Sequence, residues 1–406
     1  MMFLQFFIWG VWYVPMWTFL GTLEIEATLR GTAYAATGVA AMISPFIVGM
    51  IADRYFATQK VYGLLHLLGG VALLLAGQAQ DWTSFYPYLL FHLICYMPTL
   101  ALSNSLCFQN MEDPQRQFPP IRTLGTIGWI ASGILVGSSF FDQGAYQLIW
   151  PAFLGGENPP AEWSSIAVTS LTFEIGAYVS FALGVYSFSL PNTPPKLKGQ
   201  KVSMGDVLGL RALALMKDRS FSIFIVCSLL LCIPLSFYFQ SANGFLKEMG
   251  VANSEGVLTL GQFSEIFFLL LVPWFFRRLG VKRMLLIGMA CWVLRYAFFA
   301  QADVQTHALL YLGVLLHGIC YDFFFVTGQL YVDKVAPDEV RSSAQGFIAF
   351  VTLGVGMFIG GILNGWWNGV QSAEGVMNWP MVWYFPAALA GVVMLVFALT
   401  FRGKES

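Results

Sequence analysis

Long runs of apolar residues recur along the whole chain and limit what it can fold into. A helix that crosses a bilayer needs about 20 predominantly apolar residues, and twelve segments meet that length. Hydrophobic residues make up 57% of the 406 positions and charged residues only 11%. The sequence therefore predicts an all-α membrane protein with 12 transmembrane helices. The predicted spans lie at 3–22, 31–52, 61–78, 84–107, 120–141, 168–190, 219–245, 256–276, 284–302, 306–332, 342–366 and 380–401.

The basic residues fall mostly on one side of these spans. If the amino terminus is cytoplasmic, most of the 21 Lys and Arg residues lie in inner connections, whereas Arg30 and Lys247 lie in outer ones. This asymmetry follows the positive-inside rule and predicts that both termini are cytoplasmic. The first run begins at Met2 without a basic leader, so we expect it to be retained as a span and not cleaved as a signal peptide.

The two halves of the sequence repeat short features in the same order. Gly49, Asp53 and Arg54 lie at the end of the second span, and a second glycine-containing basic segment begins at the end of the eighth. Repeats in the same orientation predict two six-helix halves, which is the arrangement of the major facilitator fold. Asp53 and Arg54 are candidates for pairing across an inner gate. A plain surface salt bridge is the alternative.

One long inner connection separates the halves. It is rich in proline and lysine and continues into an amphipathic stretch from Met204 to Met216. This pattern indicates a linker with a helix on the membrane surface. The expected parts are an amino-terminal six-helix half at 1–190, a cytoplasmic linker with an amphipathic helix at 191–218, and a carboxy-terminal six-helix half at 219–406.

The six cysteines and four histidines form no metal or redox motif. There is no Cys-x-x-Cys pair and no histidine at ligand spacing, so we expect no metal and no cofactor. The sequence also lacks a paired nucleophile and base and a phosphate-binding glycine-rich loop, so we expect neither an enzyme nor an ATP-driven pump. His66, His92 and His307 have no partner that the sequence makes visible.

Glu265 and Asp322 lie inside predicted spans, where ionisable side chains are costly and usually functional. Gln262 precedes Glu265 by three residues and shares its helix face, so an amide and a carboxylate can hold a polar ligand together. In the tenth span His317 and Tyr321 share a face, with Asp322 at its edge. These five residues are candidates for a ligand site that includes a proton-binding carboxylate.

Arg295 in the ninth span leaves two interpretations open. It can neutralise Glu265 or Asp322 in a buried ion pair that only holds the second half together. One arginine cannot fully neutralise two carboxylates, so at least one of them needs another partner or a proton. Because desolvation favours the protonated carboxyl, such a group is suited to loading and releasing protons.

Arg122 is the ionisable candidate of the first half. It opens the fifth span, and Thr126 and Trp129 lie on the same face of the predicted helix. An arginine, a hydroxyl and an indole form a suitable wall for a polar aromatic ligand. The alternative is that Arg122 only anchors the span at the inner interface.

Several motifs occur in a characteristic order along the chain. They include Phe-Pro-Pro-Ile-Arg-Thr-Leu-Gly-Thr at 118–126, Gln-Phe-Ser-Glu at 262–265 and Tyr-Asp-Phe-Phe at 321–324. In these motifs the chain resembles the nucleoside:proton symporters of the major facilitator superfamily, the group that contains the enteric bacterial nucleoside permeases. The resemblance implies a proton-coupled nucleoside importer of the bacterial inner membrane that works by alternating access. Its expected partners are nucleoside, protons and the lipid bilayer, with no nucleic acid, and we expect a monomer.

The resemblance also implies roles for individual residues. Arg122 and Thr126 are expected to line the nucleoside site, and Trp129 stands where the family usually has phenylalanine. Asp322 matches the acidic residue tied to proton coupling, with Glu265 as the competing candidate. The full set expected to bind substrate is Arg122, Thr126, Trp129, Gln240, Asn243, Gln262, Glu265, His317, Tyr321 and Phe325. His317 replaces a tyrosine of the enteric relatives, and Tyr321 replaces a phenylalanine.

Other functions remain as alternatives. A proton-coupled transporter of another polyhydroxylated solute, or an exporter, is the alternative within transport. A non-transporting membrane receptor is the alternative outside it. The sequence ends shortly after the twelfth span, and a receptor is expected to carry a sizeable inner signalling domain.

Overall fold

The computed structural model describes residues 1–194, 210–251, 253–337, 340–373 and 376–402, with their side chains except at 45–54, 114, 115, 119, 210, 211, 342 and 343. The motif of Gly49, Asp53 and Arg54 falls where side chains are not described, although its backbone continues the helix Ala27–Arg54. Most of the predicted amphipathic linker also lies outside the described residues. The gate and the surface helix therefore stay predictions.

Within the described part of the chain, nine helices are long and apolar enough to cross a membrane. One of them, Ser254–Gln301, contains 48 residues and breaks at Gly280, whose φ of 69° and ψ of 174° are not helical, so it supplies two spans. Leu171–Ser187 with 17 residues and Ala27–Arg54 with 28 residues complete the set. The chain is an all-α membrane protein, and its described helices are consistent with the twelve expected spans.

The spans follow the predicted order. Spans one to six are Met2–Tyr13 with Met16–Thr22, then Ala27–Arg54, Thr58–Gln78, Trp82–Gln109, Pro114–Ser138 and Leu171–Ser187. A short 3-10 helix, Leu210–Lys217, precedes span seven. Spans seven to twelve are Arg219–Glu248, the two parts of Ser254–Gln301, the segmented helices that begin at His307 and Arg341, and Trp379–Thr400.

Spans ten and eleven each contain a π-helical segment that the apolar pattern does not predict. Span ten consists of His307–Leu315, His317–Tyr321, the π segment Asp322–Val326 and Thr327–Val335. Span eleven consists of Arg341–Ala349, the π segment Phe350–Gly356 and Met357–Gln371. A π turn inserts extra backbone into an α-helix and often marks a functional site. The segment in span ten begins at one of the two intramembrane carboxylates.

The connection after span five is a small antiparallel sheet. The prediction that this span continues to residue 141 was wrong, because the helix ends at Ser138 and strand β1, Ser139–Asp142, follows directly. Strands β2, Ala145–Leu148, and β3, Ser164–Ser165, pair with its two edges, with Phe140 opposite both Gln147 and Ser165. A second hairpin, β4 Ser372–Ala373 with β5 Val376–Met377, follows span eleven. Apolarity alone cannot distinguish a helix end from a short strand.

The chain divides into two compact units. The first is Met1–Val202 with Val251–Thr259, and the second is Ser203–Gly250 with Leu260–Ser406. The first turns of span eight therefore belong to the first unit, although the rest of that helix belongs to the second.

In the first unit, glycines let helices approach closely. Span five packs against span one, and a Cβ atom on Gly125 would lie 2.6 Å from the Phe6 ring. One turn on, a Cβ on Gly128 would overlap the carbonyl oxygen of Phe3. This small-residue packing holds Phe6 close to the residues at the start of span five.

In the second unit, span seven packs against spans eleven and twelve. Cβ atoms on Gly356 and Gly360 of span eleven would each lie 2.6 Å from the Cβ atoms of Cys232 and Ser236 on span seven. Around the break at Gly280, spans eight, nine and ten bury Val272, Met284 and Phe323 together. These contacts fix the helices that carry the intramembrane charges.

The contact at Gly128 predicts a measurable loss of stability. We expect Gly128→Ala to lower the thermal unfolding temperature of the purified protein, because overpacking of a tight contact costs roughly 1–3 kcal/mol. Gly391→Ala is the matched control, since its nearest neighbour would be Val293 Cγ2 at an ordinary 3.8 Å. Equal unfolding temperatures for the two variants would show that spans one and five do not pack in this way.

Candidate functional site

The first unit places the predicted residues of span five on one half-buried face. Arg122, Thr126 and Trp129 are all partly accessible. The Arg122 guanidinium carbon lies 4.3 Å from the centroid of the Phe6 ring on span one. Trp129 meets Trp9 edge to face, with ring centroids 5.7 Å apart. The structure thus brings the predicted cation and indole onto an aromatic surface formed by span one.

Behind this surface lies a buried hydrogen-bond network centred on Gln5. Its amide nitrogen donates to Thr99 Oγ1 at 2.8 Å, and its amide oxygen accepts from Tyr62 at 2.5 Å and lies 2.9 Å from His66 Nε2. Its backbone carbonyl accepts from the hydroxyl of Tyr96 at 2.5 Å. One side chain of span one therefore joins spans three and four, one turn away from Trp9.

The histidines without a visible partner in the sequence all have one in the structure. Besides the contact of His66 with Gln5, His92 Nδ1 lies 2.8 Å from the carbonyl oxygen of Gly69. His307 Nε2 lies 3.0 Å from the carbonyl oxygen of Met249. Sequence reasoning missed the Gln5 network because its members are 57 to 94 residues apart.

The second unit places Arg295 in a fully buried position. One guanidinium nitrogen, Nη1, lies 3.0 Å from His317 Nδ1, and its central carbon lies 3.3 Å from the centroid of the Tyr238 ring. Within the described part of the chain, the other two nitrogens, Nε and Nη2, have no hydrogen-bond partner. Among the described residues, the interpretation of Arg295 as the direct partner of Glu265 or Asp322 is therefore wrong, because its hydrogen bond goes to a histidine.

His317 stands between this arginine and Glu265. Its Nε2 lies 3.8 Å from Glu265 Oε2, and its ring stacks on Tyr238 with centroids 5.2 Å apart and planes inclined by 22°. The Glu265 side chain is 18% exposed, whereas that of His317 is 2% exposed. The two residues that the sequence assigned to a ligand site are neighbours, and the carboxylate is the more accessible one.

Asp322 is fully buried at the start of the π segment, and neither of its carboxyl oxygens has a hydrogen-bond partner among the residues that the structure describes. Its backbone carbonyl accepts from the backbone N–H of Thr327 and from the hydroxyl of Thr327 at 3.3 Å. An ionised carboxylate without donors is very costly in such a place, whereas a protonated carboxyl is much less so. The surroundings of Asp322 therefore favour its protonated form.

The remaining predicted residues occupy spans seven, eight and ten. Gln240 and Asn243 are fully buried. The Gln240 amide nitrogen donates to Ser236 Oγ at 2.5 Å, and its amide oxygen has no hydrogen-bond partner in the described ranges. Gln262 is 7% exposed. Tyr321 lies between His317 and the half-buried Phe325, with ring centroids 5.6 and 5.1 Å away. The aromatic surface next to Asp322 is therefore present.

A polar cluster between spans seven and eleven was missed by the sequence reasoning. Asn364 and Asn368 each donate from Nδ2 to Ser241 Oγ at 3.0 Å, and Asn368 also donates to Asn364 Oδ1 at 2.9 Å. The four-residue spacing of the asparagines within an apolar helix was the available signal. Tyr238 was missed as well, because nothing in the sequence pairs it with Arg295.

The fold and these buried groups define a class of protein. Among the described residues, a set of membrane-spanning helices with a buried, unpartnered carboxyl and a carboxylate beside aromatic rings has the features of a proton-coupled membrane transporter. The Nucleoside H+ symporter family matches residues 1–406. The chain belongs to this family and has the major facilitator fold.

Individual relatives cover nearly the whole chain. The putative nucleoside transporter YegT of Escherichia coli K12 is 41% identical over an alignment of 415 positions, which covers 100% of this chain and 93% of that protein. The nucleoside permease NupG of the same organism is 30% identical, over 99% of this chain and 94% of that protein. A crystal structure of the nucleoside transporter NupG matches with a TM-score of 0.84 and 29% identity, covering 99% of this chain and 98% of the other.

Proposed function

We propose that this chain imports nucleosides together with protons by alternating access, with Asp322 as the proton carrier. The observation that carries the proposal is the Asp322 carboxyl, which is fully buried in a π-helical turn and has no hydrogen-bond partner on either oxygen in the part of the chain that the structure describes. Membership of the nucleoside:proton symporter family supports the identity of the transported molecule. The proposed location is the bacterial inner membrane, with both termini in the cytoplasm and the carrier acting as a monomer in the lipid bilayer.

Binding of the nucleoside is assigned to the polar and aromatic residues of each unit. In the first unit, the Arg122 guanidinium offers a planar fork of donors, held over Phe6. Thr126 and Trp129 on the same face add a hydroxyl and a stacking surface. A flat base that carries hydrogen-bonding edges fits these three groups.

In the second unit, the proposed ligand contacts are amides, a carboxylate and aromatic rings. Glu265 is partly exposed and so can accept hydrogen bonds from ribose hydroxyls or from the base. The rings of Tyr321 and Phe325, whose centroids lie 5.1 Å apart, offer stacking surfaces. The other proposed contacts in this unit are Gln240, Asn243, Gln262 and His317.

Proton coupling follows from the cost of charge at Asp322. Losing the proton would leave a buried anion without a described donor, so the ionised state favours a conformation that brings water or a donor to the carboxyl. Protonation removes that bias and lets the loaded carrier reorient, so the proton gradient can drive accumulation. Glu265 is the competing proton carrier, but its contact with His317 and its partial exposure favour a role in ligand binding.

The inner gate is a further part of this proposal. Gly49, Asp53 and Arg54 end span two, and the sequence repeats a similar basic segment after span eight. A pair between Asp53 or Arg54 and a residue of opposite charge would close the cytoplasmic side and open as the carrier reorients.

The direct test of the function is uptake of labelled uridine, adenosine and inosine into cells that lack their own nucleoside carriers. We expect the chain to accumulate at least one of them above background, with the accumulation abolished by a protonophore. Entry of a sugar or another solute in place of all three nucleosides would contradict the proposed substrate.

Arg122→Lys tests the assignment in the first unit. Lysine keeps the charge but loses the planar fork and the stacking on Phe6, so we expect nucleoside affinity of the purified protein to fall about tenfold or more with normal membrane insertion. Arg278→Lys is the matched control, because Arg278 also lies over an aromatic ring, at 4.3 Å from Trp274, but is exposed. An unchanged affinity would return Arg122 to the role of an interfacial anchor.

Asp322→Asn tests the proton carrier. The amide imitates the protonated carboxyl, so we expect concentrative uptake to fall to the level of protonophore-treated cells, while exchange of nucleoside across the membrane continues. No hydrogen bond to the carboxyl is lost, so the variant should fold normally. The control is Asp81→Asn, since Asp81 is an exposed helix cap and asparagine caps equally well. Concentrative, protonophore-sensitive uptake by Asp322→Asn would move the coupling role to Glu265 or His317.

A further inference from the structure

Arg295 carries a permanent charge in an unusual environment. The residue is fully buried, its guanidinium carbon lies 3.3 Å from the centroid of the Tyr238 ring, and its only hydrogen bond among the described residues goes to His317. A buried cation normally needs a carboxylate partner. Here the His317 imidazole and the Tyr238 ring stand where a carboxylate is expected. The hydrogen bond from Arg295 therefore constrains the protonation of His317.

Donor and acceptor chemistry fixes the protons on the His317 ring. Arginine can only donate, so His317 Nδ1, at 3.0 Å from Arg295 Nη1, must accept through its lone pair. The single proton of a neutral imidazole is then on Nε2. That nitrogen is the one that faces Glu265 Oε2, at 3.8 Å.

We propose that Arg295 is a positioning residue that holds His317 neutral, with its N–H directed towards Glu265 and the ligand. A second proton on His317 would have to displace the arginine from Nδ1 and would place two cations against the Tyr238 ring. His317 therefore supplies a fixed donor and does not titrate with the transported proton. The inference rests on the proposed function only in assigning Glu265 to nucleoside binding.

The other titratable groups around His317 do not outweigh the effect of Arg295 on its protonation. Glu265 on span eight attracts a second proton, but from 3.8 Å and with partial exposure, whereas Arg295 on span nine occupies the only free nitrogen. Tyr238 on span seven stacks on the ring, and Tyr321 on span ten lies beside it. Cys320 and Asp322 are the remaining titratable residues on the same turn of span ten, and both are neutral when protonated.

The ring protonation can be measured without any ligand. The chain contains four histidines, so the ¹⁵N spectrum of histidine-labelled full-length protein has few signals, and His317→Gln identifies the one that belongs to residue 317. We expect the pattern of a neutral ring protonated on Nε2 from about pH 5.5 to 8, a range that spans the ordinary histidine titration. Conversion of the His317 signal to imidazolium within that range would overturn the proposal.

Substitutions then test the positioning role through nucleoside binding. The amide nitrogen of glutamine can take the place of Nε2, and that of asparagine the place of Nδ1. We expect His317→Gln to keep most of the uridine affinity and His317→Asn to lose about tenfold. Arg295→Met should weaken binding about tenfold with His317 present, but less than about twofold in the His317→Gln background, because glutamine has no tautomer to fix.

The pH profile separates positioning from simple structural support. In Arg295→Met the free Nδ1 can take a proton, the imidazolium can pair with Glu265, and uridine affinity should fall as the pH drops below about 6.5. This added dependence should disappear in Arg295→Met with His317→Gln. Arg278→Met is the matched control and should retain the profile of the unmodified protein.

The outcomes distinguish the two proposals. Failure of the unmodified protein to bind any nucleoside would contradict the proposed function, and the nitrogen spectrum would still decide the state of His317. Binding by the unmodified protein with equal effects of Arg295→Met in both backgrounds would refute the positioning role. If Arg295→Met does not fold, Arg295→Lys in the same two backgrounds and the spectrum of the unmodified protein give the answer.

Discussion

Polar groups inside a bilayer have no water to bond, so each costs several kcal/mol unless the protein supplies a partner. Gln5 shows how the first unit meets this requirement. Its amide and backbone bind Thr99, Tyr62, His66 and Tyr96, so three helices share one set of hydrogen bonds. Such a network is hard to rearrange, because moving one helix leaves several buried groups unpaired at once. Trp9 lies one turn further along the same helix, so this network also restricts its movement.

The second unit leaves some of its polar groups unpaired. Both carboxyl oxygens of Asp322 and two nitrogens of Arg295 have no hydrogen-bond partner at the positions that the structure describes. Such unpaired acidic and basic groups raise the free energy of the unit. Binding of water, a proton or a ligand to them lowers it. A symporter requires such sites, because a fully satisfied interior would have no reason to respond to a proton.

The sequence predicts a structural feature correctly where that feature depends on residues within one helix. Span lengths, the shared face of His317 and Tyr321, and the burial of Asp322 follow from apolar runs and helical spacing. It was insufficient where two distant segments decide the outcome. Nothing local pairs Arg295 with Tyr238 and His317 in preference to a carboxylate, and nothing local predicts that span five gives way to a strand at Ser139. A π turn also escapes detection, because an apolar run looks the same with or without it.

The π segment at Asp322–Val326 has a mechanical consequence for span ten. Each α-helical residue turns the chain by about 100°, so a turn with one residue too many shifts the facing of everything beyond it by that angle. If such a turn relaxed to α-helix, Tyr321 and Phe325 would change their facing relative to one another, and the part of span ten beyond the π segment would turn as well. The π turn begins at Asp322, the residue proposed to carry the proton. The hydroxyl of Thr327 donates a hydrogen bond to the backbone carbonyl of Asp322. Gain or loss of one proton at Asp322 therefore acts on the widest turn of this part of span ten.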